Sequence, residues 1–105
     1  MKNKRAALPR ACDFTSTFAK DWRRLSRAGR FDLGRMKQAM LFLIANDAPL
    51  GPEWLDHPLK GEWSGHRECH AGGDFLLIYR IDDKAGPGGT IVFVRAGSHA
   101  DLFRE

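Results

Sequence analysis

The segment FLLIYRIDDKAGPGGTIVFVRAG, residues 75–97, decides the fold. Its two ends are runs of strand length rich in Ile, Leu, Val, Phe and Tyr, and the Gly/Pro-rich stretch between them supplies a turn. Runs joined in this way read as neighbouring antiparallel strands. Just upstream, residues 65–71 (GHRECHA) give a third strand-like run, with Gly72-Gly73-Asp74 as the intervening turn. A three-stranded meander is the economical expectation for this half.

Toward the N-terminus the apolar period lengthens. Leu33, Met36, Ala39, Met40, Leu43 and Ile44 recur at steps of three and four, so a helix is predicted from a cap at Asp32 to about Ala45. Residues 46–52 then break it with Pro49, Gly51 and Pro52. Before it, Thr15 or Ser16 can cap a helix that carries Phe18, Trp22 and Leu25 on one face and stops at Gly29. Two helices joined so closely read as an antiparallel hairpin. Residues 7–14 read as a short strand, with Pro9 tolerable at an edge, and residues 1–6 as a frayed basic end. Helices followed by strands argue for an α+β fold: two antiparallel N-terminal helices on a small antiparallel β-sheet, with residues 1–105 as one domain.

The composition suits such a domain. The chain of 105 residues is 43% hydrophobic, enough for a core, and its two cysteines, Cys12 and Cys69, are too few for a disulfide scaffold. The apolar run 39–45 is far short of the ~20 residues of a membrane span, and the basic N-terminus lacks the apolar core of a signal peptide. These features point to a soluble protein of a reducing cytoplasm. The net charge of +4 is unevenly spread. Eleven Lys or Arg face three Asp in residues 1–40, a balance of +8, whereas residues 41–105 balance at −4. A basic half, with Arg23, Arg24 and Arg27 on one helix, suits a polyanion such as nucleic acid, or else simply solvates the helix faces.

The four histidines, His57, His66, His70 and His99, all lie in the second half near predicted loops and strand ends. Imidazole exchanges protons near neutral pH, which suits acid–base chemistry. On a strand, His66, Glu68 and His70 share one face while Arg67 and Cys69 take the other. Asp74 is placed to orient an imidazole, and Arg95 can offer a phosphate its planar donor fork. Zinc on His66, Cys69 and His70 is disfavoured, because alternation turns Cys69 away and no CxxC or HExxH pattern is present. Cys69 reads as structural, and Ser98 beside His99 is sequence adjacency rather than a triad.

Three ordered blocks carry a closer likeness: DHPLKGEWSGHRECH (residues 56–70), DFLLIYR (74–80) and RAGSHADLF (95–103). They resemble the YafQ branch of the RelE/ParE superfamily, the toxins of bacterial type II toxin–antitoxin systems, and the likeness extends over about residues 8–104. It implies a compact α+β ribonuclease that cleaves mRNA, typically on the ribosome, without a metal or other cofactor. It also implies a cognate antitoxin, through which the pair regulates its own operator DNA, and no membrane partner. Carried over by position, the catalytic set falls on His57, His70, Asp74, Arg95 and His99. Substrate contacts fall on Phe75 and Phe103, the latter able equally to plug the core at the C-terminus, with Lys60 a plausible phosphate contact. Where the family often has Trp after the aspartate, this chain has Phe75, which stacks with less area and no N–H donor. Three other readings stay open: a gyrase-directed toxin of the ParE type, which does not need this histidine set, a ribosome- or RNA-binding module without chemistry, and a degenerate toxin that keeps antitoxin binding.

Overall fold

The computed structural model of the chain describes residues 8–84, 86 and 88–103, in the order β1 (Ala11–Phe14), α1 (Ser16–Ala28), α2 (Leu33–Ala45), β2 (His57–Pro58), β3 (Arg67–His70), β4 (Leu76–Asp82), β5 (Thr90–Gly97) and α3 (His99–Leu102). The frayed end expected for residues 1–6 lies outside the described residues. The predicted caps are in place. The Thr15 side chain accepts from Phe18 N with Gly29 in the left-handed conformation at the far end (φ 75°), and the Asp32 side chain accepts from Arg35 N.

The α+β class holds, but the sheet is larger than a meander and not wholly antiparallel. Its strand order is β1-β5-β4-β3-β2. The β3–β4–β5 meander is antiparallel, the two residues of β2 extend it beside β3, and β1 joins the other edge parallel to β5. Ala11 pairs with Thr90 and Phe14 with Phe93, so the first strand of the chain lies against the last. Pro9 precedes the paired residues, where its missing N–H removes nothing from the ladder.

Alternation along β4 divides the interior. Leu77 and Tyr79 face α1 and α2, together with Cys69, Ile91, Phe93 and Ala96, and meet Phe18, Leu25, Met36, Ala39 and Leu43. Leu76 and Ile78 face the other way, where Leu102 of α3, Leu59, Trp63, Val94 and Phe103 cover them. Both faces are therefore dry, which is why β4 reads as a continuous apolar run. The two helices meet across a groove of about 430 Å³ whose walls include Phe14, Phe18, Trp22 and Met40. No helix among the described residues is long and apolar enough to cross a membrane.

Beyond Phe14 the chain turns into α1, and its capping residue Thr15 and the helix side chain Asp21 take over β1's partnership with β5. Thr15 donates from its backbone N to Phe93 O (3.1 Å) and from Oγ1 to Val94 O (2.8 Å), and Asp21 Oδ2 accepts from Ala96 N (3.0 Å). The β4–β5 register slips at Ile78/Tyr79, which pair with Arg95 and Phe93 and leave Val94 as the extra residue of a bulge. The bulge sits where the Arg95 side chain leaves the sheet toward α1.

Candidate active site

The β3–β4 end of the sheet gathers three of the four histidines. His57 starts β2, His70 ends β3, and His99 opens α3 directly after β5. Their rings form a row, with centroids 6.1 Å apart from His57 to His70 and 6.1 Å apart from His70 to His99. His66 stands apart. It lies before β3, packs edge-on against Trp63 and faces Ser64 O, so only Glu68 and His70 share the face expected for three residues.

Each imidazole is oriented by a partner at Nδ1. His57 Nδ1 lies 2.7 Å from Leu55 O. Leu55 itself occupies the left-handed region (φ 50°), a strained conformation that accompanies this presentation of its carbonyl. His70 Nδ1 lies 3.2 Å from Gly73 O in the β3–β4 turn. His99 Nδ1 lies 2.5 Å from Asp74 Oδ1, which also accepts from the His99 backbone N at 3.0 Å. These bonds, the backbone one first, hold the Asp74 carboxyl below its ordinary 3.8. A carbonyl oxygen can only accept, so Nδ1 carries the proton in His57 and in His70.

At the other side of those two rings is Glu68, a residue the sequence placed on the right face without assigning it a role. It is buried, and its Oε2 lies 3.5 Å from His57 Nε2 and 3.3 Å from His70 Nε2. With both Nδ1 atoms protonated, each Nε2 facing this carboxylate needs a proton of its own to donate. Glu68 thus faces both Nε2 atoms at distances from which a protonated ring can donate to it. The same three ligand atoms lie within 4.8 Å of one another, a set able to hold a transition metal. This is not the zinc set weighed from sequence. Cys69 is fully buried on the helix-facing side, and burial pushes its thiol up to about 12, as alternation required.

Arg95 is held from behind. Its Nε and Nη2 donate to Asp21 Oδ2 (2.8 Å) and Oδ1 (3.1 Å), and Asp21 is buried. Arg24 joins from the same helix, donating to Asp21 Oδ1 (3.2 Å) and to Asp101 Oδ2 (3.3 Å). Asp101 and Ser98 form a reciprocal capping box at the start of α3, so the same network fixes the backbone that bears His99. Arg95 thus reaches the imidazoles through Asp21, Arg24 and α3 rather than by direct contact. Asp21, six residues before Arg27 in an otherwise basic helix, enters the sequence reading only as one of three acids in the charge balance.

The other expected contacts fall unevenly. Phe75 is 3% exposed and its ring lies 4.7 Å from that of Phe31, so it is a core residue and offers no free face to a base. That expectation is corrected. Phe103 packs on Trp63 (6.1 Å) and His99 (5.9 Å), closing the second apolar cluster while flanking the site. Lys60 is exposed after β2, and Arg23 and Arg27 are exposed on α1. Behind His57, Asp56 Oδ1 accepts from the Tyr79 hydroxyl (2.6 Å) and from Arg67 Nε (3.3 Å), fixing the backbone before the histidine.

Comparison with known proteins gives one answer. The model of the bacterial type II toxin–antitoxin toxin YafQ matches residues 10–104. The mRNA interferase toxin YafQ of Escherichia coli K12 is 35% identical over 96 residues, covering 91% of this chain and 98% of the relative. The E. coli DinJ–YafQ complex contains a chain that superposes with a TM-score of 0.76 at 35% identity, covering 90% of this chain and 98% of that one. A metal-bound toxin from Helicobacter pylori superposes equally well (TM-score 0.76, 39% identity, 89% and 98% covered). The chain belongs to the YafQ family of type II toxin–antitoxin toxins.

Proposed function

We propose that the chain is an endoribonuclease that cleaves mRNA on the ribosome without a metal, using a ribose 2′-OH as the nucleophile. The observation that carries this reading is the row of three oriented imidazoles flanked by Asp74 and the buried Glu68. His99, its Nδ1 held by Asp74, presents Nε2 as the base that takes the 2′-OH proton. The oxygen attacks the neighbouring phosphorus, and the bond to the 5′-oxygen breaks as His70 protonates it from a proton shared with Glu68 and His57. The products are a 2′,3′-cyclic phosphate and a 5′-OH end. Arg95, with Nε and Nη2 committed to Asp21, has Nη1 left for a phosphate oxygen whose charge grows in the transition state.

The relatives' names add weight: one is called an mRNA interferase, and another is a complex with the antitoxin DinJ. The partner suited to this chain is an antitoxin segment with apolar side chains and acidic flanks. The groove between α1 and α2 is apolar along Phe14, Phe18, Trp22 and Met40, with Arg23 and Lys37 at its rim. Exposed Arg23 and Arg27 suit ribosomal RNA. The test maps the ends cut in mRNA on programmed ribosomes, in EDTA, with the chain and with His99→Ala. New 5′-OH ends that depend on His99 support the reading, and their absence with the unaltered chain overturns it.

A further inference from the structure

The burial of Phe75 leaves the ground beside Asp74 open to a different residue pair. The α1–α2 connection and the β3–β4 turn face each other across a cleft of about 280 Å³, bordered by Arg30, Phe31, Asp32, Gly72, Asp74 and Phe75. Its wall is layered. Phe75 lies at the bottom, Phe31 packs on it at 4.7 Å, and the Arg30 guanidinium covers Phe31 at 4.4 Å. Arg30 is exposed, so the outer face of this stack is a planar cation. Gly72 and Gly73 line the turn opposite, and even an added Cβ at either would meet no atom within 4 Å.

We propose that this cleft holds the nucleobase adjoining the scissile phosphate, stacked on the Arg30 guanidinium, and sets the base preference of cleavage. The inference rests on the endoribonuclease reading above. Four features carry it. Asp74 belongs both to the cleft and to the His99 pair, so a strand whose phosphate sits at His99 has its neighbouring base at the opening. A space of about 280 Å³ is large enough for a nucleobase. A guanidinium plane backed by an aromatic ring is a platform on which unpaired bases stack. The rim is acidic: Asp32 commits Oδ1 to Arg35 N and Asp74 commits Oδ1 to His99, which leaves one oxygen of each to accept from a base. Two carboxylate acceptors suit the two N–H donors of an exocyclic amino group, on adenine, cytosine or guanine, better than the single N3–H of uracil.

The test uses ribosomes programmed with mRNAs that differ only at the base flanking the cut, with the unaltered chain, Arg30→Ala and Arg30→Lys. The unaltered chain is expected to favour amino-bearing bases several-fold over uracil. Arg30→Ala raises KM about tenfold, as loss of one base stack does, with kcat little changed and the preference flattened. Arg30→Lys, which keeps the charge and loses the plane, behaves like Arg30→Ala. Restoration of KM and preference by lysine would reduce Arg30 to a phosphate contact and overturn the inference, as would an unchanged Arg30→Ala. Failure of the unaltered chain to cleave any of the mRNAs instead overturns the endoribonuclease reading, and this inference with it.

Discussion

Asp21 of α1 and Arg95 of β5 are joined by two hydrogen bonds of 2.8 and 3.1 Å, across a separation of 74 residues. The pair ties the basic helix to the strand that leads into α3, and Asp21 spends its remaining capacity on Ala96 N and Arg24. Asp21→Ala leaves Arg95 without its counter-charge and Ala96 N without an acceptor. We expect a loss of about 3 kcal/mol in stability, as for other broken buried pairs, and a drop in kcat larger than that in KM. Denaturant unfolding and single-turnover cleavage measure the two. An unaltered kcat in folded protein would mean that Arg95 needs no holder.

His99→Ala removes the assigned base and is expected to slow cleavage about 100- to 10,000-fold with the fold intact. Asp74→Asn keeps the size of the side chain but can present an amide N–H to the ring, which turns or re-tautomerises the imidazole. It should slow the reaction less than His99→Ala, and the double variant should be no slower than His99→Ala alone. Growth arrest on induction and cleavage in vitro report both. Additive losses would separate the two residues.

Cleavage should persist in EDTA, because the proton transfers are assigned to side chains. Added Zn²⁺ should inhibit it, since His57, Glu68 and His70 would exchange their shared proton for the ion. Inhibition reversed by chelator is the expected result. Activity that requires added metal would overturn the assignment of the acid to His70.

Asp101 provides a signature in acid. The Ser98 backbone N–H, helped by Arg24, holds its carboxyl below the ordinary 3.8. A carboxylate with a lowered folded pKa stabilises the protein fully above its unfolded value and loses that contribution as pH falls through the folded one. The melting temperature should therefore fall below about pH 4, and Asp101→Asn should lie closer to the unaltered chain at pH 3 than at pH 7. Equal gaps at both pH values would show that Asp101 acts only as a neutral cap.

Charge reversal of Arg23 and Arg27 should weaken ribosome binding and flatten its dependence on salt, while leaving the fold intact. Arg24 is left out of that set because its guanidinium belongs to the Asp21–Asp101 network. Co-sedimentation with ribosomes over a salt series decides between docking and simple solvation of a helix.

Local signals made much of this molecule readable in the sequence. The caps at Thr15 and Asp32, the α2 stripe, and β5 at Thr90–Gly97 follow from short-range chemistry and appear as expected. The four histidines stand out in the sequence because loops and strand ends present them, the choice of His57, His70, Asp74 and His99 among the candidates comes from the family resemblance, and the structure brings these four side chains near one another. What escaped depends on contacts distant in sequence. A parallel edge strand pairs residues about 79 positions apart and leaves no turn to announce it. Glu68 and Asp21 look like ordinary surface acids until the sheet and α1 bury them. Phe75 looks like a base-stacking residue until Phe31, in a loop with no periodicity of its own, closes over it.

The order β1-β5-β4 has a consequence for how the chain comes to its final form. The last strand in sequence is inserted between the first strand and the fourth, so β1 has no partner in the sheet until residues 90–97 arrive. Contacts of such long range are slow to form. The arrival of β5 also delivers Arg95 to Asp21 and, through Ser98, sets His99 against Asp74. The docking of β1 and the placing of Arg95 and His99 thus wait on one strand, whereas His57, Glu68 and His70 come together on β2 and β3 without it.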